Sequence, residues 1–133
     1  MPAFLSFLLL DPRLRSARIK TALLLYAAVI LAGSIPGARA GVGELASGLV
    51  LHGLTYAFLS LLCFLGSTGS GRVRAAKAVL AVALMGAGDE LVQSFLPYRS
   101  GDVRDWMIDV SAALLTSTLL AVFVPRQGSV RQG

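Results

Sequence analysis

The groups able to do chemistry in this chain are gathered in one stretch, "DELVQSFLPYRSGDVRDWMID", residues 89–109. Asp89, Glu90, Asp102, Asp105 and Asp109 are five of the seven acidic residues in the sequence. Gln93, Arg99 and Arg104 lie among them, and the single histidine, His52, stands earlier with Tyr56 four positions on. Carboxyl and imidazole groups held away from water can serve as acid and base, and Glu90 and His52 are the pair for that task. The planar fork of Arg99 suits a phosphate or carboxylate. Gln93, Asp105 and Asp109 would then accept donors from a sugar or an amide. Asp102, Asp105 and Asp109 offer oxygen to a divalent cation, but helical spacing alone rarely encloses an ion, so no metal is expected. The structural alternative is that Arg99 and Arg104 pair with Asp102, Asp105 or Glu90 and fasten the segment. His52 and Tyr56 are in that case interhelical hydrogen bonds or packing. No nucleophile elbow, phosphate-binding loop or zinc spacing occurs, and no cofactor is expected.

The elements that must position these groups are apolar. Of 133 residues, 56% are hydrophobic and 14% charged, against about 25% charged in soluble domains. Mean hydropathy is +0.75. The net charge of +5 does not point to nucleic acid, because the basic residues flank apolar runs rather than forming a dense patch with aromatic neighbours. One cysteine, Cys63, excludes an intramolecular disulfide and reads as a small buried hydrophobe. Four apolar runs approach the roughly 20 residues a bilayer requires: 19–35, 45–66, 75–96 and 106–124. The pieces between them are short. The expected fold is an all-α integral membrane protein, a four-helix transmembrane bundle with short antiparallel loops. Residues 1–18 form a cytoplasmic N-terminal segment, 19–124 the four-span domain and 125–133 a cytoplasmic tail.

Orientation follows from Lys and Arg in short loops. Arg13, Arg15, Arg18, Lys20, Arg72, Arg74, Lys77, Arg126 and Arg131 fall on one side, and Arg39, Arg99 and Arg104 on the other. Both termini are therefore expected inside, with the acidic hairpin at the outer face. "SIPGARA" after the first run also fits a signal-peptide cleavage site, with Ala38 and Ala40 as the small residues; the late start of the charged region, after "MPAFLSFLLL", speaks against cleavage. That opening decamer is too short to span and reads as an interfacial segment or a loose apolar tail.

At about 1.5 Å per residue, His52 lies roughly 10 Å, Glu90 about 9 Å and Asp109 about 6 Å below the outer edge. Ionisable groups on three spans at similar depth imply one shared pocket. Asp102, Asp105 and Asp109 fall within a ~60° arc of their helix. Asp89 and Glu90 point about 100° apart, so one of them at most aims at the pocket centre. Gly48 and Gly53 flank His52 and would allow close helix approach. Trp106 suits an interfacial aromatic belt.

The run Glu90-x-x-Gln93, Pro97-x-Arg99, Asp102-x-x-Asp105 and a polar residue four positions on resembles the VanZ-like membrane proteins. His52 and Tyr56 resemble that family's H-x-x-x-Y, and "SIPG" at Ser34–Gly37 its Ser/Pro stretch closing the first span. The likeness covers about Ser34 to Ala113. Asp109 stands where the family usually has asparagine and Ala112 where it has glycine; Gly48 and Leu49 replace its acidic-basic pair. The resemblance implies a small multi-pass protein of the bacterial inner membrane, tied through its founding member to low-level teicoplanin resistance, with membrane lipids and a lipid-linked or cell-wall precursor as partners. It implies no settled activity, so an enzyme and a binding protein both remain open.

Overall fold

The computed structural model describes residues 3–35, 48–97 and 101–124, and these are helical with no strand among them. The opening residues form α1 (Ala3–Leu10), and a 3-10 turn (Pro12–Leu14) leads into α2 (Arg15–Ser34). Three further helices follow, α3 (Gly48–Gly66), α4 (Gly71–Ser94) and α5 (Val103–Phe123). Asp11 caps the 3-10 turn, accepting the Arg13 N–H at 2.8 Å, and Pro12 supplies the fixed φ at its first position. Ser70 caps α4 through the Val73 N–H, and Asp102 caps α5 through the Arg104 N–H. Helix α2 begins at Arg15 rather than 19, directly after the Asp11-capped turn, and α4 at Gly71 rather than 75, because its Ser70 cap lies ahead of the apolar run. The segment 45–47, the Ala38 and Ala40 pair, Gly37, Arg99 and the tail 125–133 lie outside the described residues.

Among the described residues, three stretches are long and apolar enough to cross a membrane: Pro12–Ser34, Leu49–Gly66 and Val103–Phe123. Helix α4 has 24 residues, about 36 Å of rise, but carries Arg72, Arg74 and Lys77 near its start and Asp89 and Glu90 near its end. Its charges are instead partly turned inward. Arg74, Ala78, Val82, Gly86, Asp89 and Gln93 form its buried face, at the three-to-four-residue spacing of one helical stripe. On α5 the buried positions Asp109, Ala113 and Ser117 repeat every four residues.

Contacts fix the helix directions. His52 meets Asp109 and Ser60 meets Ser117, so α3 and α5 advance together. Tyr56 meets Asp89 while Phe64 meets Arg74, so α4 runs against α3. Arg18 reaches the Leu65 carbonyl and Tyr26 the Met85 carbonyl, which sets α2 against α3. The centre is packed by Tyr56, Leu59, Phe64, Val82, Ala78 and Ala113, with Cys63 buried beside them. Large side chains such as Leu24, Leu80, Leu84, Leu115 and Val122 face outward, as lipid-facing positions do when the surroundings are as apolar as the core.

Close approach falls at Gly86 rather than at Gly53. A Cβ at Gly53 would meet nothing within 4 Å, whereas at Gly86 it would lie 2.9 Å from Asp109 Oδ2 and 3.2 Å from Trp106 Cδ1. Overpacking of this kind costs about 1–3 kcal/mol. Gly86→Val is therefore expected to lower the thermal midpoint of the detergent-solubilised protein clearly. Leu84→Ala, at an outward position 66% exposed, leaves it near wild type. Equal midpoints for the two variants would refute the tight α4–α5 contact.

Candidate functional site

Helices α3, α4 and α5 bring eight of the nine residues picked from the sequence to one end of the bundle. The ninth, Arg99, lies outside the described residues. Two connected groups form. In the first, Asp89 is almost wholly buried and accepts the Tyr56 hydroxyl at 3.0 Å and the Gln93 side-chain N–H at 2.9 Å. Gln93 is one turn beyond Asp89 on the same helix face, which is why it serves Asp89 rather than Glu90. Both carboxylate oxygens of Asp89 thus have a donor.

The second group is built around Asp109, which has no solvent exposure. Its Oδ1 lies 2.8 Å from His52 Nδ1. With Asp109 ionised, the Nδ1 proton is donated to it and the basic lone pair of the ring is left on Nε2. That nitrogen faces Asp105, whose Oδ2 is 3.8 Å away. His52 also stacks on Tyr56, with ring centres 5.9 Å apart and planes 16° apart, so the two groups touch through α3. Glu90 is half-buried. Its Oε2 accepts the Asp102 N–H at 2.7 Å, tying the end of α4 to the start of α5. Among the described residues, Glu90 Oε1 and Asp109 Oδ2 are the two buried carboxylate oxygens without a donor.

Asp89 and Glu90 divide the work, with Asp89 inside the bundle and Glu90 beside His52 and Asp109. Asp102 departs from the expected acidic stripe. It is exposed and its Oδ1 takes the Arg104 N–H at 2.9 Å, so it caps α5 instead of lining the pocket. The stripe of three aspartates is accordingly not a cation site. Among the described residues, the set that could hold one is His52, Glu90 and Asp109, each offering an atom within 4.8 Å of the others. Arg104 is exposed and forms no ion pair among the described residues, so the reading in which it fastens the hairpin is not what holds the described site. Trp106 is half-buried and donates its indole N–H to the Ala83 carbonyl at 2.9 Å, a helix-to-helix bond that the belt reading had not included.

Sequence reasoning missed three polar features. Arg18 and Arg74, read as loop charges, are 6% and 3% exposed. Ser60 and Ser117 bond to each other at 2.8 Å in the middle of the bundle. The signal for Arg74 was present in its spacing, four residues before Ala78 and in line with Val82 and Gly86. The signal for Ser117 was its spacing from Asp109 and Ala113.

A helical membrane-type bundle with a buried imidazole–carboxylate cluster at one end is the class that fold and site define. Residues 49–124, more than half of the chain, match the VanZ/LLP1 family, and the chain belongs to that family. The match takes in α3, α4 and α5, reaches beyond Ala113 to the end of α5, and does not extend back to the "SIPG" stretch. No curated protein and no solved structure matches the chain.

The His52–Asp109 contact makes a checkable claim. Alanine substitutions of the two residues are expected to be non-additive by about 0.5–3 kcal/mol in a double-mutant cycle on detergent stability. The pair His52 and Ser117, without mutual contact, is expected to add within about 0.5 kcal/mol. Full additivity of His52→Ala with Asp109→Ala would mean the bond contributes nothing.

Proposed function

We propose that this VanZ-like protein crosses the bacterial inner membrane four times, through α2, α3, α4 and α5, with both termini cytoplasmic. Its polar site then opens outward and receives the headgroup of an envelope amphiphile, a lipid or a cell-wall precursor rich in hydroxyl or amine donors. One observation carries this reading: Glu90 Oε1 and Asp109 Oδ2 sit buried beside His52 without a hydrogen-bond donor. A buried carboxylate oxygen left unpaired costs roughly 1–3 kcal/mol or more, and a ligand bringing donors removes that cost. Asp89, satisfied by Tyr56 and Gln93, serves to hold the site's shape. Asp105, partly exposed, stands at its mouth, and Arg99 would hold an anionic portion of the same ligand with its fork. The nine-to-three distribution of basic residues supports the orientation.

A second reading is favoured by the His52–Asp109 bond itself. A carboxylate that fixes the ring through Nδ1 leaves Nε2 placed as a general base, with Asp105 3.8 Å from that nitrogen and Glu90 as the half-buried acid grouped with His52 and Asp109. On that reading the site transfers a proton to or from the headgroup, and the protein is an enzyme.

Teicoplanin susceptibility of a deletion strain checks the proposal. Wild type, but not Glu90→Gln or Asp109→Asn produced to the same membrane level, is expected to restore the parental response. Full restoration by both variants would end the site-based reading. In the same strains, lipid extracts separate the two versions: an envelope intermediate that accumulates with His52→Gln marks catalysis, and unchanged pools mark binding alone.

Topology is read independently by reporter fusions. A reporter placed in 98–100 is expected to report the outer side and one after residue 124 the inner side. A cytoplasmic signal from the first would overturn the orientation.

A further inference from the structure

The opposite end of the bundle has an unbalanced charge. Segments 11–20 and 70–77 hold Arg13, Arg15, Arg18, Lys20, Arg72, Arg74 and Lys77, with Asp11 their only acid. The Asp11 carboxylate is occupied by the Arg13 N–H. Among the described residues the ion pairs within 4 Å all involve His52, at the far end, so none of these cations has a carboxylate in contact, and Asp11 acts on Arg18 only at longer range.

Buried arginines at this end are held by helix C-terminal carbonyls. Arg18 donates to Leu65 O at 3.2 Å, to Leu8 O at 2.8 and 3.1 Å and to Asp11 O at 3.0 Å. Arg74 donates its Nε–H to Phe64 O at 3.2 Å and lies 4.4 Å over the Phe64 ring. Carbonyl dipoles and a ring face offer partial negative charge only, about half an elementary charge per helix end. Arg15 and Arg18 lie near enough to Arg74 to repel its charge, and Arg15 Nε is buried without a partner.

Arg74, 97% buried, keeps both Nη groups without a hydrogen bond and lines a cavity of about 970 Å³. Arg72 and the start of α4 at Ser70–Gly71 form its polar side, and Ala121 and Val122 of α5 its apolar side. Ser70 takes the Val73 and Arg74 N–H groups, which leaves the Gly71 and Arg72 N–H groups as the first-turn donors of α4. Val122 is 70% exposed on the outer surface of the bundle. The geometry points to a binding site for a phosphate group between the start of α4 and the end of α5, held by Arg72 and Arg74, with room on α5 for an acyl chain. This site is separate from the His52 cluster and does not depend on its function.

Native mass spectrometry of the purified full chain tests it, with phosphatidylglycerol, phosphatidylcholine or inorganic phosphate as the probe. Wild type is expected to retain phosphatidylglycerol about tenfold more tightly than phosphatidylcholine. The exposed Arg72→Gln, which disturbs no bond in the fold, is expected to remove most of that preference, and Ala121→Phe, which fills the cavity from its apolar side, to remove it as well. Saturable binding of inorganic phosphate that competes with the lipid assigns the site to free phosphate; weak phosphate binding beside strong lipid binding assigns it to the lipid. Equal retention of both lipids with no phosphate binding, or a preference unchanged in both variants, overturns the site.

Discussion

A carboxyl group with no access to solvent must find its partner inside the protein, and for Asp109 that partner is His52 on another helix. The bond fixes the register of α3 against α5. Eight residues further along both helices the same register brings Ser60 to Ser117. It also dictates the contact with α4, because Asp109 occupies the surface of α5 that α4 must approach. Only a residue without a side chain fits opposite, and Gly86 is there. The placement of Glu90 follows, since α4 ends beside the start of α5 and the Asp102 N–H closes on its carboxylate.

The two ends of the bundle solve the burial of charge differently. At the acidic end, side chains answer side chains: tyrosine and glutamine for Asp89, imidazole for Asp109. At the basic end, arginines answer main-chain carbonyls at the ends of α1 and α3. The first solution leaves specific oxygen atoms unmet. The second satisfies direction without neutralising charge. Between them lies a short apolar section with one hydroxyl pair, where neither problem arises.

Much of this was legible in the sequence. Long apolar runs and short connections gave the helices, and the polar spacing gave the family and most of the site. The depth estimate that joined His52, Glu90 and Asp109 led to residues that the structure does bring together. What escaped was whatever depends on cap geometry or on rotation about a helix axis. Asp102 has the right phase for the acidic stripe, yet as the cap it lies just outside the helix and its side chain turns to the backbone. Gly53 looked like a packing glycine because it neighbours His52, but it points to open space. Arg18 and Arg74 sit where cytoplasmic flanks are expected, and a charge count does not register which face of the helix carries them.

Helix α2 lies outside the match to the family, and Tyr26 and Arg18 attach it to its described neighbours through one kind of acceptor. Tyr26 donates to the Met85 carbonyl, and Arg18 to the carbonyls of Leu65, Leu8 and Asp11. Each of these acceptors is present whatever amino acid occupies the position. These bonds thus respond to the path of the neighbouring backbone, while the packing of α2 does depend on side chains: a Cβ at Gly66 or Gly88 would meet Ile19 or Tyr26. The polar residues of the site can change behind such a brace without these bonds changing in step, so long as the two glycines that admit α2 are kept.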